Sequence, residues 1–175
     1  MRRIFVGMLL IFLNFNINIG NSVLGLIPTF IGYFVMRGGV AEMAATEPGT
    51  RFARVRPFVT AMTAYTAVCY ALDLLGASAE LGGLGAVLGL VSTAASLYVA
   101  YCIVRGVADI ENGEGRDLDA ARLYSVWRAF AVLELAVVVL SVLLPALALV
   151  CAILLFVVAV MFLFAFNRSK NLYYA

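Results

Sequence analysis

Ala146-Leu-Ala-Leu-Val-Cys-Ala-Ile-Leu-Leu-Phe-Val-Val-Ala-Val-Met-Phe-Leu-Phe-Ala-Phe166 runs for 21 residues without a charge, an amide or a hydroxyl. An α-helix needs about 20 apolar residues to cross a hydrocarbon core of about 30 Å. This run meets that length on its own. Five further apolar stretches precede it, at Ile4–Ile19, Val23–Met43, Phe58–Leu75, Leu84–Val104 and Ala129–Leu144. Over the whole chain 65% of the 175 residues are hydrophobic and 13% are charged. Soluble domains sit near 45–50% apolar, so a water-soluble fold of this size has no place to hide so much apolar surface, and lipid must be the solvent. The reading is an all-α integral membrane protein. It forms one transmembrane domain over residues 1–175, a six-helix transmembrane bundle of three hairpins.

Local chemistry places the breaks between spans. Glu47-Pro48-Gly49-Thr50 with Arg51, Arg54, Arg56 and Pro57 separates the second from the third. Gly76 to Gly83 separates the third from the fourth, and the polar stretch Asp109–Asp119 the fourth from the fifth. Asp117 suits the N-cap of the fifth helix, and Pro145 marks a tight hairpin before the last. Cytoplasmic segments are enriched in Lys and Arg. With the N-terminus inside, all 12 basic residues of a six-span chain fall on one side, from Arg2 and Arg3 to Arg168 and Lys170. The expected location is therefore the bacterial cytoplasmic membrane, with both termini in the cytoplasm. Arg2-Arg3 before an apolar run also begins signal peptides, but no small-x-small cleavage site follows, so a retained first span is expected. Tyr124 and Trp127 sit where an inner aromatic belt belongs, as do Tyr173 and Tyr174 if the tail folds back.

Residues 13–28 depart from the helical pattern. From Leu13 through Asn14, Phe15, Asn16, Ile17 and Asn18 to Ile19, apolar and Asn residues alternate with the period of a strand. Gly20-Asn21-Ser22 is turn chemistry, and Pro28 suits the start of the following helix. A short extended or unwound link is expected between the first two helices, covered or paired because lipid offers no hydrogen bonds. The asparagine amides can supply some of them.

The same residues carry a resemblance. Phe15-Asn16-Ile17-Asn18-Ile19-Gly20, then Leu26-Ile27-Pro28, then Phe30-Ile31-Gly32-Tyr33, resembles the opening of a family of small uncharacterised bacterial membrane proteins common in Firmicutes, whose pattern reads FNINLG…ILPDFIGY. The resemblance covers roughly the first 45 residues; beyond them only the hydropathy pattern is similar. The family pattern often has an acid after the proline, where this chain has Thr29. The resemblance implies a class of membrane protein and brings no reaction or cofactor with it.

Few polar groups lie inside the spans. Glu134 falls about six residues into the fifth, roughly 9 Å deep by helical rise, and Arg37 lies within the second. A charge at such depth costs several kcal/mol unless paired or wetted. The two admit either a substrate or proton site or a structural ion pair; the pair is the favoured reading, in a shared buried cluster. Thr63, Thr66, Tyr70 and Asp73, with Thr60 one turn earlier, share one face of the third helix. That face lines a polar path or, by preference, forms interhelical hydrogen bonds. Gly89, Ser92, Thr93, Ser96 and Ala100 give the fourth span a small-residue face for close packing.

Cys69, Cys102 and Cys151 lie singly in apolar runs, and the chain has no His, so no metal set is expected. No nucleophile–base set or phosphate-binding loop is present, and neither catalysis nor a cofactor is expected. Two functions stay open. The leading one is transport or permeation of a small solute; the other is a non-transporting subunit or scaffold that docks a partner protein. The expected partners are the lipid bilayer and either a second copy or a membrane protein, and no nucleic acid.

Overall fold

The computed structural model describes residues 1–12, 16–19, 22–25, 28–76 and 82–175. These form α1 (Arg2–Phe12), β1 (Asn16–Ile19), β2 (Ser22–Gly25), α2 (Thr29–Thr46), α3 (Arg51–Leu74), α4 (Gly82–Glu114), α5 (Ala120–Leu143) and α6 (Pro145–Tyr174). Helix dominates because an apolar segment in lipid must satisfy its own backbone. The chain divides into two compact units, Met1–Val99 and Ala100–Ala175.

Among the described residues, α4, α5 and α6 are long and apolar enough to cross a membrane, which marks the chain as a helical membrane protein. The expectation of six apolar spans is met only in that part. α1 has 11 residues and is about 17 Å long, roughly half a hydrocarbon core. Arg37 and Glu42 dilute α2, and the basic first turns and threonines of α3 dilute that helix. The helices also end elsewhere than the apolar runs do. α4 continues to Glu114, ten residues past the expected end at Val104, and α5 begins nine residues before Ala129. Hydropathy reports where lipid lies, while a helix continues as long as its residues have a buried face to serve, as Val107 and Ile110 do here.

In the first unit, β1 and β2 pair antiparallel, with Asn16 opposite Gly25, Ile17 opposite Leu24, Asn18 opposite Val23 and Ile19 opposite Ser22. An extended link thus takes the place of helix, and the ladder pairs backbone groups that lipid cannot. Asn14 and Gly20 lie outside the described residues. Pro28 occupies the N-cap position of α2 at φ −57°, and its carbonyl accepts the N–H of Ile31 at 2.9 Å.

α2 packs between α1 and α3. Its buried positions, Gly32, Tyr33, Met36, Gly39, Val40 and Met43, recur at three and four residues, the spacing of a close-packed helical seam. α3 answers with Phe52, Val55, Val59 and Met62. Glycine sets the approach of α1. A Cβ on Gly7 would lie 2.7 Å from the Gly32 carbonyl oxygen, and one on Gly32 would lie 2.6 Å from Cγ1 of Ile11. A Cβ on Gly39 would lie 2.7 Å from the Ile4 nitrogen. These close-packing glycines are on α1 and α2. Gly89, the expected one, has nothing within 4 Å of where its Cβ would stand.

In the second unit α5 and α6 form an antiparallel hairpin joined at Leu144, with Pro145 opening α6 as expected. Phe130 stacks on Phe162 at 6.1 Å, and nearer the open end Arg168 Nε lies 3.2 Å from Asp119 Oδ2. The buried side chains gather toward that open end: Val104, Val107, Ile110, Leu118, Leu123, Phe162 and Phe166. The closed end is the reverse. Val142 is 82% exposed, and Leu143, Leu149 and Ile153 are likewise exposed, an apolar surface suited to lipid. α6 stays helical to Tyr174, so the tail does not fold back.

Asp117 does not cap α5 as expected. Gly115, at φ 67°, ends α4, and Oε2 of Glu111 then accepts the N–H groups of Leu118 at 2.8 Å and Ala120 at 3.0 Å. Asp117 instead accepts the N–H of Asp119 at 2.9 Å. Asp119 sits at the N-cap position in the left-handed region, φ 58°, which a short polar side chain tolerates.

Candidate functional site

The polar residues singled out in the sequence divide between the two units. Arg37, Thr63, Thr66, Tyr70 and Asp73 belong to the first, and Glu134 to the second.

On α3, the four residues Thr63, Thr66, Tyr70 and Asp73 are all half-buried, whereas the neighbouring Thr60, Ala61, Ala64 and Val68 are exposed. The expected shared face is therefore real and partly covered. Its threonine hydroxyls are satisfied locally. Thr63 donates to the Val59 carbonyl at 2.8 Å, Thr66 to the Met62 carbonyl at 2.7 Å, and Thr60 to the Arg56 carbonyl at 3.0 Å. Such back-bonding to the preceding turn is the common alternative for Ser and Thr inside a helix. The Tyr70 ring lies 5.7 Å from that of Phe30, and Asp73 stands in the last turn.

Beyond the Tyr70–Phe30 contact, residues outside that face also join helices. Tyr33 of α2, 3% exposed, shares a 2.7 Å hydrogen bond with Ser96 of α4. Tyr65 of α3 donates to the Leu88 carbonyl at 3.0 Å, and Phe58 meets Tyr98 edge-on at 4.9 Å. Ser96 was visible as a small residue, but nothing in the sequence alone pairs it with a tyrosine 63 residues away.

Arg37 was expected in a buried pair. It is exposed, and its guanidinium lies 5.2 Å from the ring centroid of Phe34 one turn earlier on the same helix. Such cation–π contacts contribute about 0.5–1 kcal/mol at exposed sites. Glu134 is half-buried in the middle of α5, between Leu133 and Leu135. Among the described residues no side chain pairs with it or donates to it. It is a carboxyl group within a helix apolar enough to cross the membrane.

One turn and more before Glu134, α5 carries an aromatic group. Trp127 stacks on Tyr124 at 5.7 Å and lies 5.1 Å from Tyr101 of α4. The Arg105 guanidinium stands 5.7 Å from the Tyr124 ring. The Arg105 Nε and Trp127 Nε1 atoms are buried without a hydrogen-bond acceptor among the described residues. Tyrosine, tryptophan and arginine together are the composition of a membrane–water boundary.

The fold and these groups define a helical integral membrane protein in which, among the described residues, Glu134 stands unpaired inside an apolar helix. Comparison of the chain with protein-family models, with curated proteins and with solved structures finds no match.

Proposed function

We propose that the chain is a six-span protein of the bacterial cytoplasmic membrane, with both termini in the cytoplasm, that moves a proton or small cationic solute by way of Glu134. The observation that carries this reading is the unpartnered Glu134 carboxyl within α5. An acid at that position is costly to keep ionised, and ionisable groups inside spans mark ion and proton pathways by default. The broken first segment supports it further. The 11 residues of α1 and the 4 of β1 together supply about 30 Å, one hydrocarbon thickness. Interrupted helices are the usual construction at transport sites. Reconstituted in liposomes holding a pH-sensitive dye, the chain is expected to pass protons under an imposed potential, and Glu134→Gln is expected to abolish the flux. Flux equal to that of protein-free liposomes, or unchanged in the variant, overturns the reading.

One observation favours the other function, a non-transporting subunit that docks a partner. The α3 threonine hydroxyls are bonded to their own helix and not turned to a path. A stoichiometric protein copurifying from native membrane in mild detergent, with no flux in liposomes, is the result that reading expects.

The topology has its own test. Single cysteines placed at Ser22, Ser78 and Pro145, with the native cysteines replaced, are expected to react with an impermeant maleimide from outside. Those at Thr50 and Gly113 are expected to react only after the membrane is opened. One reversed site breaks the six-span arrangement.

A further inference from the structure

We infer that the chain holds anionic phospholipid in two arginine-headed grooves, one on α3 and one on α5. Each unit carries an open groove of about 500 Å³ along a single helix. The first is lined by Ala53, Arg56, Pro57, Thr60, Ala61 and Ala64, the second by Ser125, Arg128, Ala129, Val132 and Leu133. The spacing is the same in both, steps of three and four residues, so each groove follows one helix face. Small side chains make the depression on α3: three of its six lining residues are alanines. From Ala53 to Ala64 the groove runs about 16 Å along the axis, the depth of one leaflet of a core about 30 Å thick.

Each groove has one arginine toward the N-terminal end of its helix. Arg56 and Arg128 are exposed, and neither has a carboxylate or hydrogen-bond partner among the described residues. Arg116 and Arg168, by contrast, are taken up in ion pairs with Glu114 and Asp119. An exposed arginine toward one end of an open, largely apolar depression is complementary to a molecule with an anionic phosphate and acyl chains. A free phosphate would satisfy the arginine and leave the trough empty, and a zwitterionic lipid would fill the trough while bringing its own cation to the arginine. The planar guanidinium also suits phosphate oxygens better than a lysine would. The occupant is therefore a phospholipid of net negative charge, lodged in the leaflet where α3 and α5 begin. In the six-span reading that leaflet is the cytoplasmic one.

The experiment is native mass spectrometry of the full chain released from an uncharged detergent. Phosphatidylglycerol and phosphatidylcholine of identical acyl chains are supplied in equal amount. Each arginine near an anionic headgroup is expected to give about a fivefold preference for phosphatidylglycerol. Arg56→Gln and Arg128→Gln should each remove one such preference. Arg116→Gln, which deletes the same charge away from either groove, should leave both intact. Ala61→Leu and Ala129→Leu, which fill the grooves and keep every charge, should lower the number of retained lipids. Equal retention of the two lipids by the unaltered chain overturns the inference, whatever the variants do. So does an Arg116→Gln loss as large as the groove variants', which reduces the effect to net charge. Glu134 takes no part in this readout, so flux can fail while lipid retention stands, and the reverse.

Discussion

Gly32→Leu is expected to separate α1 from α2 and to cause the largest fall in thermal stability of any single substitution considered. The atoms in the way are largely backbone: the Gly7 carbonyl oxygen would stand 2.9 Å from a Cβ on Gly32, beside Cγ1 of Ile11 at 2.6 Å. A rotamer change clears a side chain, but it does not clear a carbonyl. Overpacking ordinarily costs about 1–3 kcal/mol, and here the upper end or more is expected because the helix itself must move. Gly7→Leu and Gly39→Leu should act in the same direction, each against the partner helix. Gly89→Leu, with open space around it, is the matched control on an equally apolar helix. The measurement is the unfolding midpoint in detergent. Midpoints that fall equally for Gly32→Leu and Gly89→Leu would show that α1 and α2 do not interlock.

The second large effect is expected at Glu111. Its carboxylate takes the N–H of Ala120, the first residue of α5, and that of Leu118 just before it, neither of which has a helical acceptor of its own. Leu118 is fully buried and Ala120 nearly so, so water does not readily replace the acid. Hydrogen bonds to a charged group contribute about 1.5–3 kcal/mol each, and a negative charge also suits a helix N-terminus. Glu111→Ala should therefore destabilise the second unit by about 3 kcal/mol. Glu111→Gln, which keeps one acceptor oxygen, should cost less. Asp117→Ala should cost less again, because its bond to Asp119 is exposed. Hydrogen exchange at Leu118 and Ala120 checks the order, and faster exchange in Asp117→Ala than in Glu111→Ala reverses the assignment.

The membrane class, the Pro145 hairpin and the extended link near Asn16 and Asn18 were all legible because each rests on a local pattern: a run length, a missing N–H, a period of two. What escaped needed knowledge of which helix lies beside which. In a chain this apolar every helix face is greasy, so nothing distinguishes the seam at Gly32, Met36 and Gly39 from a lipid-facing side. Gly89 drew attention because small residues cluster near it, yet clustering along one helix does not say that a second helix is close. By sequence Glu111 falls in the polar stretch Asp109–Asp119 that separates two apolar runs. The helix in fact continues, since Val107 and Ile110 have a buried face to serve. Arg37 and Glu134 were joined by sign and depth alone, and the exposed, ring-stacked Arg37 is what such reasoning cannot foresee. Of the polar stripe on α3, the common face was readable from spacing, but the destination of its hydroxyls was not.

The turn at Leu144 bears on how the chain reaches its membrane. From Leu135 to Phe166 there is no Asp, Glu, Lys or Arg, and a single residue joins the two helices. A loop carrying even one basic residue through the bilayer centre faces a penalty of about 2.5–3.5 kcal/mol; this turn faces none. In the proposed six-span arrangement the last two helices are expected to insert as one unit, tip first. Arg128 at one base of that wedge and Arg168 at the other are then expected to hold it at the surface from which it entered.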